Sequence, residues 1–394
     1  MDTVDEGPLQ PGQAWLGMLG GGQLGRMFVH AAQALGYRVL VLEPDAASPA
    51  GAAADDHIVA GYEDRAALAA LASRCAAVST EFENVPASSL QFLAGQPRLH
   101  VAPAAGSVSV CQHRAREKAL FVRSGVPCAT HAPIETESDL AQPGLEAMLP
   151  GLLKTSSMGY DGKGQITVES LAALGPAWRR LGAVPCLLEQ RLPLARELSV
   201  VVARGHDGRC VHLPVQQNLH RDGILAVTQV PAPDVPPAAA DAAVDHALRL
   251  ADALGHVGVL CVEFFLLADG RLVANEMAPR PHNSGHHSID SCDLSQFDLQ
   301  VRAMARLPLA APRLHSAAVM LNLLGDLWLD AAGAPRRPDW AAVLALQGAH
   351  LHLYGKAEAR RGRKMGHLTL TASGPASALA AAREAAARLG LAPP

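Results

Sequence analysis

An α/β chain in three successive units, the first built on a parallel sheet, is the fold class this sequence predicts. Three observations carry the prediction. Between residues 15 and 102, short apolar runs alternate with helical patterns, the mark of a parallel sheet covered on both faces. Between 151 and 268, longer strands and hairpins replace that alternation. From about residue 311, a strand, a hairpin and an alanine-rich terminal helix make a small α+β unit. The expected domains are a Rossmann-like 1–104, a larger 105–310 and a small 311–394.

The elements follow in order. Residues 15–19 read as a buried strand that runs into glycines, then a helix to Gly36, then a second strand at 38–42. Further strands are expected at 57–60, 76–80 and 100–102. Residues 108–124 read as one helix carrying Arg114 and Lys118, with Pro127 beyond it. Strands at 151–156 and 165–170 flank a glycine-rich loop, and 238–254 is the one clear helix of the middle unit. Residues 288–306 read as another helix, 317–323 as a strand, and 350–354 as the hairpin partner of 367–371.

Composition narrows the function. A length of 394 residues, with 49% hydrophobic and 18% charged, is that of a globular multidomain chain. A net charge of −4 implies no nucleic-acid partner, and no run of ~18 apolar residues implies no membrane span. The seven scattered cysteines form no C-x-x-C pair, and the acidic start has no apolar leader core. A reduced, cytoplasmic protein is the expectation.

Lysine is rare: five against 28 arginines. Lys154, Lys163, Lys356 and Lys364 lie in or beside glycine-bearing segments, and a compact ammonium next to glycine-loop N–H groups is a common way to hold phosphate. The segment 156–164 joins two strands, is too long for a tight turn, and reads as a flap that closes on phosphates. Gly20 to Gly25 also satisfies G-x-G-x-x-G, with Glu43 at the end of the next strand, where a ribose-binding acid belongs. Alone, that pattern predicts a nicotinamide oxidoreductase. What it reports physically is a tight turn with an anion-accepting helix N-terminus, which other ligands also use.

Two strands flank Ala268-Asp269-Gly270. A two-residue Asp-Gly turn would pair Ala268 with Arg271 and put Glu263 opposite Glu276. Like charges so opposed are destabilising, and a bridging hard cation such as Mg²⁺, shared with substrate phosphates, resolves the conflict. The loop after them carries His282, His286 and His287, whose spacing fits no standard zinc set.

Together, Lys154, the 159–165 loop, Glu189-Gln190, Glu197, Glu263 and Asn275-Glu276 resemble the ATP-grasp fold. More closely, the chain resembles the N5-carboxyaminoimidazole ribonucleotide synthetase family. The marks are residues 22–27, 80–85, 159–165, 217–224, 275–286 and 362–367, which span the chain in family order. The first unit is then a pre-ATP-grasp, substrate-lid domain and the dinucleotide motif is a false lead.

That resemblance implies a set of roles. Arg114, Lys154, Gly159, Tyr160, Asp161, Gly162, Lys163, Gly164, Gln165, Glu189, Gln190, Arg191, Leu192, Glu197, His220, Asn275 and Glu276 would bind ATP. Glu263 and Glu276 would hold Mg²⁺ or Mn²⁺. Gln23, Leu24, Glu81, Tyr160, Asp161, Lys163, Arg280, His282, Asn283, Ser284, Lys356, Arg363 and Lys364 would surround 5-aminoimidazole ribonucleotide. Arg280, Asp161 and Lys356 would act in catalysis, with Asp161 or a product phosphate taking the amine proton. The implied reaction consumes ATP and bicarbonate in purine biosynthesis, and the implied assembly is a homodimer. Rival readings are a formate-using transformylase of the same superfamily, a nicotinamide oxidoreductase and a non-catalytic nucleotide binder.

Overall fold

The computed structural model describes residues 7–157 and 164–394. Its first sheet contains β1 (Trp15–Leu19), β2 (Arg38–Leu42), β3 (Asp56–Ile58), β4 (Ala77–Thr80) and β5 (His100–Val101), with helices α1 (Gln23–Ala34), α2 (Arg65–Arg74) and α3 (Ala87–Ala94) between them. The strands are all parallel, in the order β3-β2-β1-β4-β5. The inner strands are almost wholly buried, as a sheet covered by helices requires.

The single helix expected at 108–124 is two: α4 (Ala105–Cys111) and α5 (Arg114–Arg123). Tertiary bonds win over helix continuity at the join. The Gln112 amide donates to the carbonyls of Glu83 and Val85 at 2.6 and 2.7 Å, and His113 is extended. The Arg114 N–H, freed from the helix ladder, donates to the Ser156 carbonyl at 2.9 Å. Arg114 therefore opens α5 beside the end of the next strand pair.

A four-stranded antiparallel sheet follows, from β6 (His131–Ile134), β7 (Gly151–Thr155), β8 (Gln165–Val168) and β9 (Cys186–Gln190), in the order β6-β9-β7-β8. Helix α6 (Leu171–Arg180) packs on it through Leu174, Ala177 and Trp178. The sequence reading names no helix there. Burial of Trp178, whose indole N–H donates to the Val184 carbonyl at 2.9 Å, offsets the ladder bond that Pro176 cannot make.

The largest sheet runs through both remaining units. Its strands are β10 (Leu194–Arg204), β11 (Cys210–His212), β12 (Gln216–Arg221), β13 (Ile224–Val230), β14 (Gly258–Leu267), β15 (Leu272–Ala278), β16 (Ala317–Leu324), β17 (Ala349–Leu353) and β18 (Lys364–Ala372). The order is β15-β14-β10-β12-β13-β16-β18-β17, with β11 beside β10. The C-terminal strands thus continue the same sheet. Helix α7 (Pro237–Ala253) covers one end and α11 (Pro375–Leu389) the other, with α10 (Trp340–Leu344) beside it.

The helix expected at 288–306 is also divided, into α8 (Ser288–Ser291) and α9 (Gln296–Met304). Ser295 restarts the helix as an N-cap, in a capping box with Asp298. Helix α9 ties the sheets together. Phe297, Val301 and Met304 share a core with Leu16, Phe28 and Val41, while Leu299 and Ala303 pack with Val201 and Val259. No helix among the described residues is long and apolar enough to cross a membrane.

Gln300 on α9 adds a polar stitch. Its oxygen accepts from the Val259 N–H at 2.6 Å, and its amide donates to the Ser79 hydroxyl at 2.9 Å. Gln300→Leu leaves both buried partners unsatisfied, a loss of roughly 1–3 kcal/mol per group. We expect a clear drop in the thermal unfolding midpoint. An unchanged midpoint would show that the apolar α9 contacts alone join the two sheets.

Candidate active site

The carboxylates of the β14–β15 hairpin meet as expected, but by a different route. The Leu267 N–H donates to the Arg271 carbonyl at 2.8 Å and Gly270 has φ +87°, so the loop has three residues, Ala268 to Gly270. This shifts the register by one, and Phe264 faces Ala274. A bulge at Asn275 shifts it back, and Glu263 faces Glu276. The bulge also brings two consecutive side chains, Asn275 and Glu276, to one cavity wall.

Two cavities meet at this hairpin. One, about 790 Å³, is lined by Lys154, Gln165, Glu189, Gln190, Arg191, Leu192, Glu197, His220 and Asn275. The other, about 980 Å³, is lined by Gln23, Leu24, Glu81, Arg280, Lys356 and Arg363. Arg114, Glu263, Glu276, His282, Asn283 and Lys364 line both. Gly164 is off the cavity wall in a left-handed conformation, its carbonyl accepting from the Thr155 N–H at 2.9 Å. Gly159, Tyr160, Asp161, Gly162 and Lys163 lie outside the described residues. Ser284 corrects the sequence reading: it is fully buried behind the wall, bonded to Ser199 at 2.8 Å and to His282 Nδ1 at 2.9 Å.

Charge on the shared wall is unbalanced. Burial and the neighbouring Glu276 push the Glu263 carboxyl up to about 7. Arg114 Nη1 lies 3.2 Å from Glu276, and His282 Nε2 lies 3.6 Å from Glu263. The His282 imidazole is held well below its ordinary range, first by burial and then by Arg280, so it brings little positive charge. The donor set of two opposed carboxylates, Glu263 largely buried and Glu276 open to the cavity, fits a hard divalent cation. Asn283 adds both amide atoms, buried and without a hydrogen-bond partner among the described residues.

Zinc does not fit. His282, His286 and His287 turn their Nδ1 atoms to Ser284, Gln296 and Ser291 respectively. Asp290, His352 and His367 bring ligand atoms within 4.8 Å, but the two imidazoles stack with an interplanar angle of 14°. Their in-plane lone pairs run side by side and do not converge on one ion.

The glycine turn at the start of α1 is filled by the protein itself. Gly22 and Gly25 donate their N–H groups to the Glu81 carboxylate at 2.6 and 2.9 Å, and Gly21 donates to Glu43 at 2.8 Å. A Cβ at Gly22 would sit 2.4 Å from a Glu81 oxygen, which is why only glycine serves there. A dinucleotide pyrophosphate has no free N–H cradle, and this removes the structural basis of the nicotinamide reading.

The sequence reading left several charged residues out of the site. Lys118 is 1% exposed and Glu117 3%, and both reach β15. Glu83 forms an ion pair with the Arg280 Nε. The scarcity of lysine was a usable signal for Lys118; nothing local marks Glu117 or Glu83.

Glu189 sits between two ammonium groups, Lys154 at 3.0 Å and Lys118 at 3.6 Å. Burial alone would raise its pKa, but Lys118 and Lys154 prevail and bring it down to about 2. Its ionised form therefore contributes stability above the ordinary glutamate value of 4.5, and the contribution fades as pH falls toward 2. Glu189→Gln should cost about 3–5 kcal/mol near neutral pH, because two buried lysines lose their counter-ion. In denaturant titrations the gap to wild type should narrow between pH 4.5 and 2. A gap that does not change with pH there would rule out the counter-ion role.

Comparisons with known proteins agree with this architecture. The ribonucleotide synthetase preATP-grasp domain family matches residues 14–112, and the ATP-grasp domain family matches 119–297. The phosphoribosylaminoimidazole carboxylase C-terminal domain family matches 318–381. The N5-carboxyaminoimidazole ribonucleotide synthase of Brucella melitensis is 42% identical, covering 93% of this chain and 98% of that protein. The Bacillus subtilis synthase is 39% identical over 92% of both. The crystal structure of the Aspergillus clavatus synthase, in complex with ADP and 5-aminoimidazole ribonucleotide, superposes with a TM-score of 0.86 at 31% identity, covering 96% of this chain and 99% of that one. The Thermus thermophilus synthetase structure gives 0.84 at 40% identity, covering 95% and 97%. The chain belongs to the N5-carboxyaminoimidazole ribonucleotide synthase family of ATP-grasp ligases.

Proposed function

We propose that this chain carboxylates the 5-amino group of 5-aminoimidazole ribonucleotide, with ATP and bicarbonate as co-substrates, at the wall shared by its two cavities. The observation that carries the reading is the opposed pair Glu263 and Glu276, which borders both cavities at once. A phosphoryl group passing from a nucleotide to a second substrate needs such a junction.

ATP takes the smaller cavity. Lys154 and Arg114 face its phosphates, the 189–192 segment its adenine, Glu197 its ribose, and His220, paired with Glu197, fixes that carboxylate. Glu263 and Glu276 hold Mg²⁺ or Mn²⁺, with Asn275 beside them, and the bound cation neutralises phosphate oxygens. The ribonucleotide takes the larger cavity. Lys356, Arg363 and Lys364 receive its 5′-phosphate, while Gln23, Leu24 and Glu81 close the opposite side.

Bicarbonate is a poor acyl donor. Its oxygen attacks the γ-phosphorus, the bond to ADP breaks, and carboxyphosphate forms. Carboxyphosphate passes its carboxyl to the amine nitrogen, either directly as the bond to phosphate breaks or through CO₂ released together with phosphate, and a proton leaves the nitrogen to Asp161 or to the released phosphate. Arg280 and Asn283 line the junction where this charge develops, and positioning with charge stabilisation is the main task of the protein. Carboxyphosphate must be kept from water while it lasts. A homodimer working in the cytoplasm accompanies this reading as a family trait.

A formate-using ligase would share the ATP cavity, so the assay must separate the two. Phosphate release should require bicarbonate and the ribonucleotide and should not respond to formate; release driven by formate would overturn the proposal. Glu276→Gln should abolish ADP formation while the fold survives. Near-normal turnover of that variant at saturating Mg²⁺ would count against the metal assignment.

Arg363 tests the division of the cleft. Its Nη1 donates to the Glu358 carbonyl at 2.7 Å, which fixes the guanidinium at the rim of the larger cavity. A phosphate contact made equally in ground and transition states acts on KM. Arg363→Ala should raise the ribonucleotide KM by ~10-fold or more, as expected for a charge-assisted bond of roughly 1.5–3 kcal/mol. The ATP KM should barely move. The reverse pattern would assign the basic segment to the nucleotide.

A further inference from the structure

The bulge in β15 creates a bonding problem at a sheet edge. β15 is the outermost strand of the large sheet, and among the described residues no strand lies beyond it. Its outward N–H and C=O groups are buried against α5 and the segment that follows, where an unpaired backbone group is costly. Each finds a partner of a different kind. The Ala274 N–H donates to the Pro127 carbonyl at 2.7 Å. The Asn275 carbonyl accepts from Lys118 Nζ at 2.7 Å. The Met277 N–H donates to Glu117 Oε1 at 2.6 Å. Between the last two, the Glu276 side chain meets Arg114 at 3.2 Å.

The spacing explains how one helix does this. Arg114, Glu117 and Lys118 stand at i, i+3 and i+4, so they share a face of α5. That face engages three consecutive residues, 275, 276 and 277, across the bulge. A regular strand would turn alternate side chains away from the cavity. Here an acceptor and a donor on α5 stand in for the missing ladder, and the irregular backbone keeps its shape. Lys118 lines neither cavity, and besides its ion pair with Glu189 at 3.6 Å its ammonium is spent on the Asn275 carbonyl.

We propose that Glu117 and Lys118 are positioning residues that hold the β15 bulge with Asn275 and Glu276 turned together into the smaller cavity, and so set the affinity of the site for its divalent cation. This rests on the metal reading of Glu263 and Glu276. Partners one step removed from a metal ligand typically change metal affinity 10- to 100-fold when lost.

The test is Mn²⁺ binding to the full-length chain with ADP, followed by electron paramagnetic resonance, beside ADP affinity without metal. Glu117→Leu removes the acceptor, and Lys118→Met removes the donor. Each should weaken Mn²⁺ by ~10-fold or more while metal-free ADP affinity stays within ~3-fold. Glu117→Gln keeps an acceptor oxygen and should hold Mn²⁺ within ~3-fold of wild type. Wild-type Mn²⁺ affinity in Glu117→Leu and Lys118→Met overturns the proposal. So does an equal loss of metal-free ADP binding, which would make α5 a general support of the cavity. A Glu117→Gln variant as weak as Glu117→Leu overturns it too, because charge and not the acceptor would then matter. Should Glu117→Leu fail to fold, Lys118→Met and Glu117→Gln carry the same comparison. If wild type with ADP binds no Mn²⁺, the metal reading itself falls, a result distinct from failure of the positioning role alone.

Discussion

Glu263 and Glu276 face each other from neighbouring strands, the first largely buried and the second open to the cavity. Two like charges about 4 Å apart at a protein-like effective dielectric repel by roughly 4 kcal/mol. The chain tolerates this without a full set of counter-charges. Arg114 meets one carboxylate, while the imidazole near the other is discharged by burial and by Arg280. The result is a carboxylate pair that resists full ionisation until a cation joins it. The remaining architecture can be read as support for that pair. The break between α4 and α5 brings Arg114 to the wall. The bulge sets Glu276 against Glu263, and the large sheet holds both strands in place.

How much of this was legible in the sequence depends on the range of the forces involved. The parallel sheet was legible because apolar runs and glycine turns are local. The opposed glutamates were legible for a partly accidental reason. The expected two-residue turn is a three-residue loop, and the bulge at Asn275 cancels the difference. Neither irregularity has a strong local signature, since Ala268-Asp269-Gly270 suits both turns. The helix breaks at 112–113 and 292–295 were illegible for a related reason. Gln112 leaves the helix for carbonyls near residue 84, and no window around 112 contains them. Helix α6 was missed because propensity weighs Pro176 heavily and cannot see Trp178 being buried. In the site, residues whose chemistry is conspicuous were found. Glu117, Lys118 and Glu83 act on other protein groups, and Ser284 turns from the wall to its neighbours.

The glycine motif shows how one local geometry serves opposite ends. A strand that turns into α1 through three glycines presents free N–H groups wherever it occurs. In a dinucleotide enzyme those groups meet a pyrophosphate. Here Glu81 and Glu43 meet them, and Glu81 in turn lines the larger cavity. Burial raises the Glu81 pKa, and the two glycine N–H bonds oppose that rise. The turn thus anchors a carboxylate at the edge of a binding site. The glycines are legible in sequence as a requirement for close approach, but what approaches is decided 59 residues away.

Charge along the larger cavity is sorted as well as plentiful. Lys356, Arg360, Arg361, Arg363 and Lys364 come from one short stretch that runs into the start of β18, whereas Glu263 and Glu276 come from the β14–β15 hairpin. An anionic ligand group gains most at the basic end, and a cation gains most at the acidic end. Arg280 stands where these regions meet. Its Nε is held by Glu83 and its Nη1 donates to the Pro281 carbonyl at 3.0 Å. A guanidinium has five N–H donors, so these two attachments leave Nη2 with hydrogen for an anion while the plane of the group is already set. Holding a charged donor in place before the substrate arrives removes a reorganisation cost at the moment charge develops. Glu83 follows β4 of the first sheet and Arg280 follows β15 of the third, and α9 packs the two sheets together. Orientation of the junction therefore depends on contacts far from it, through the rigidity of α9 and the sheets it joins.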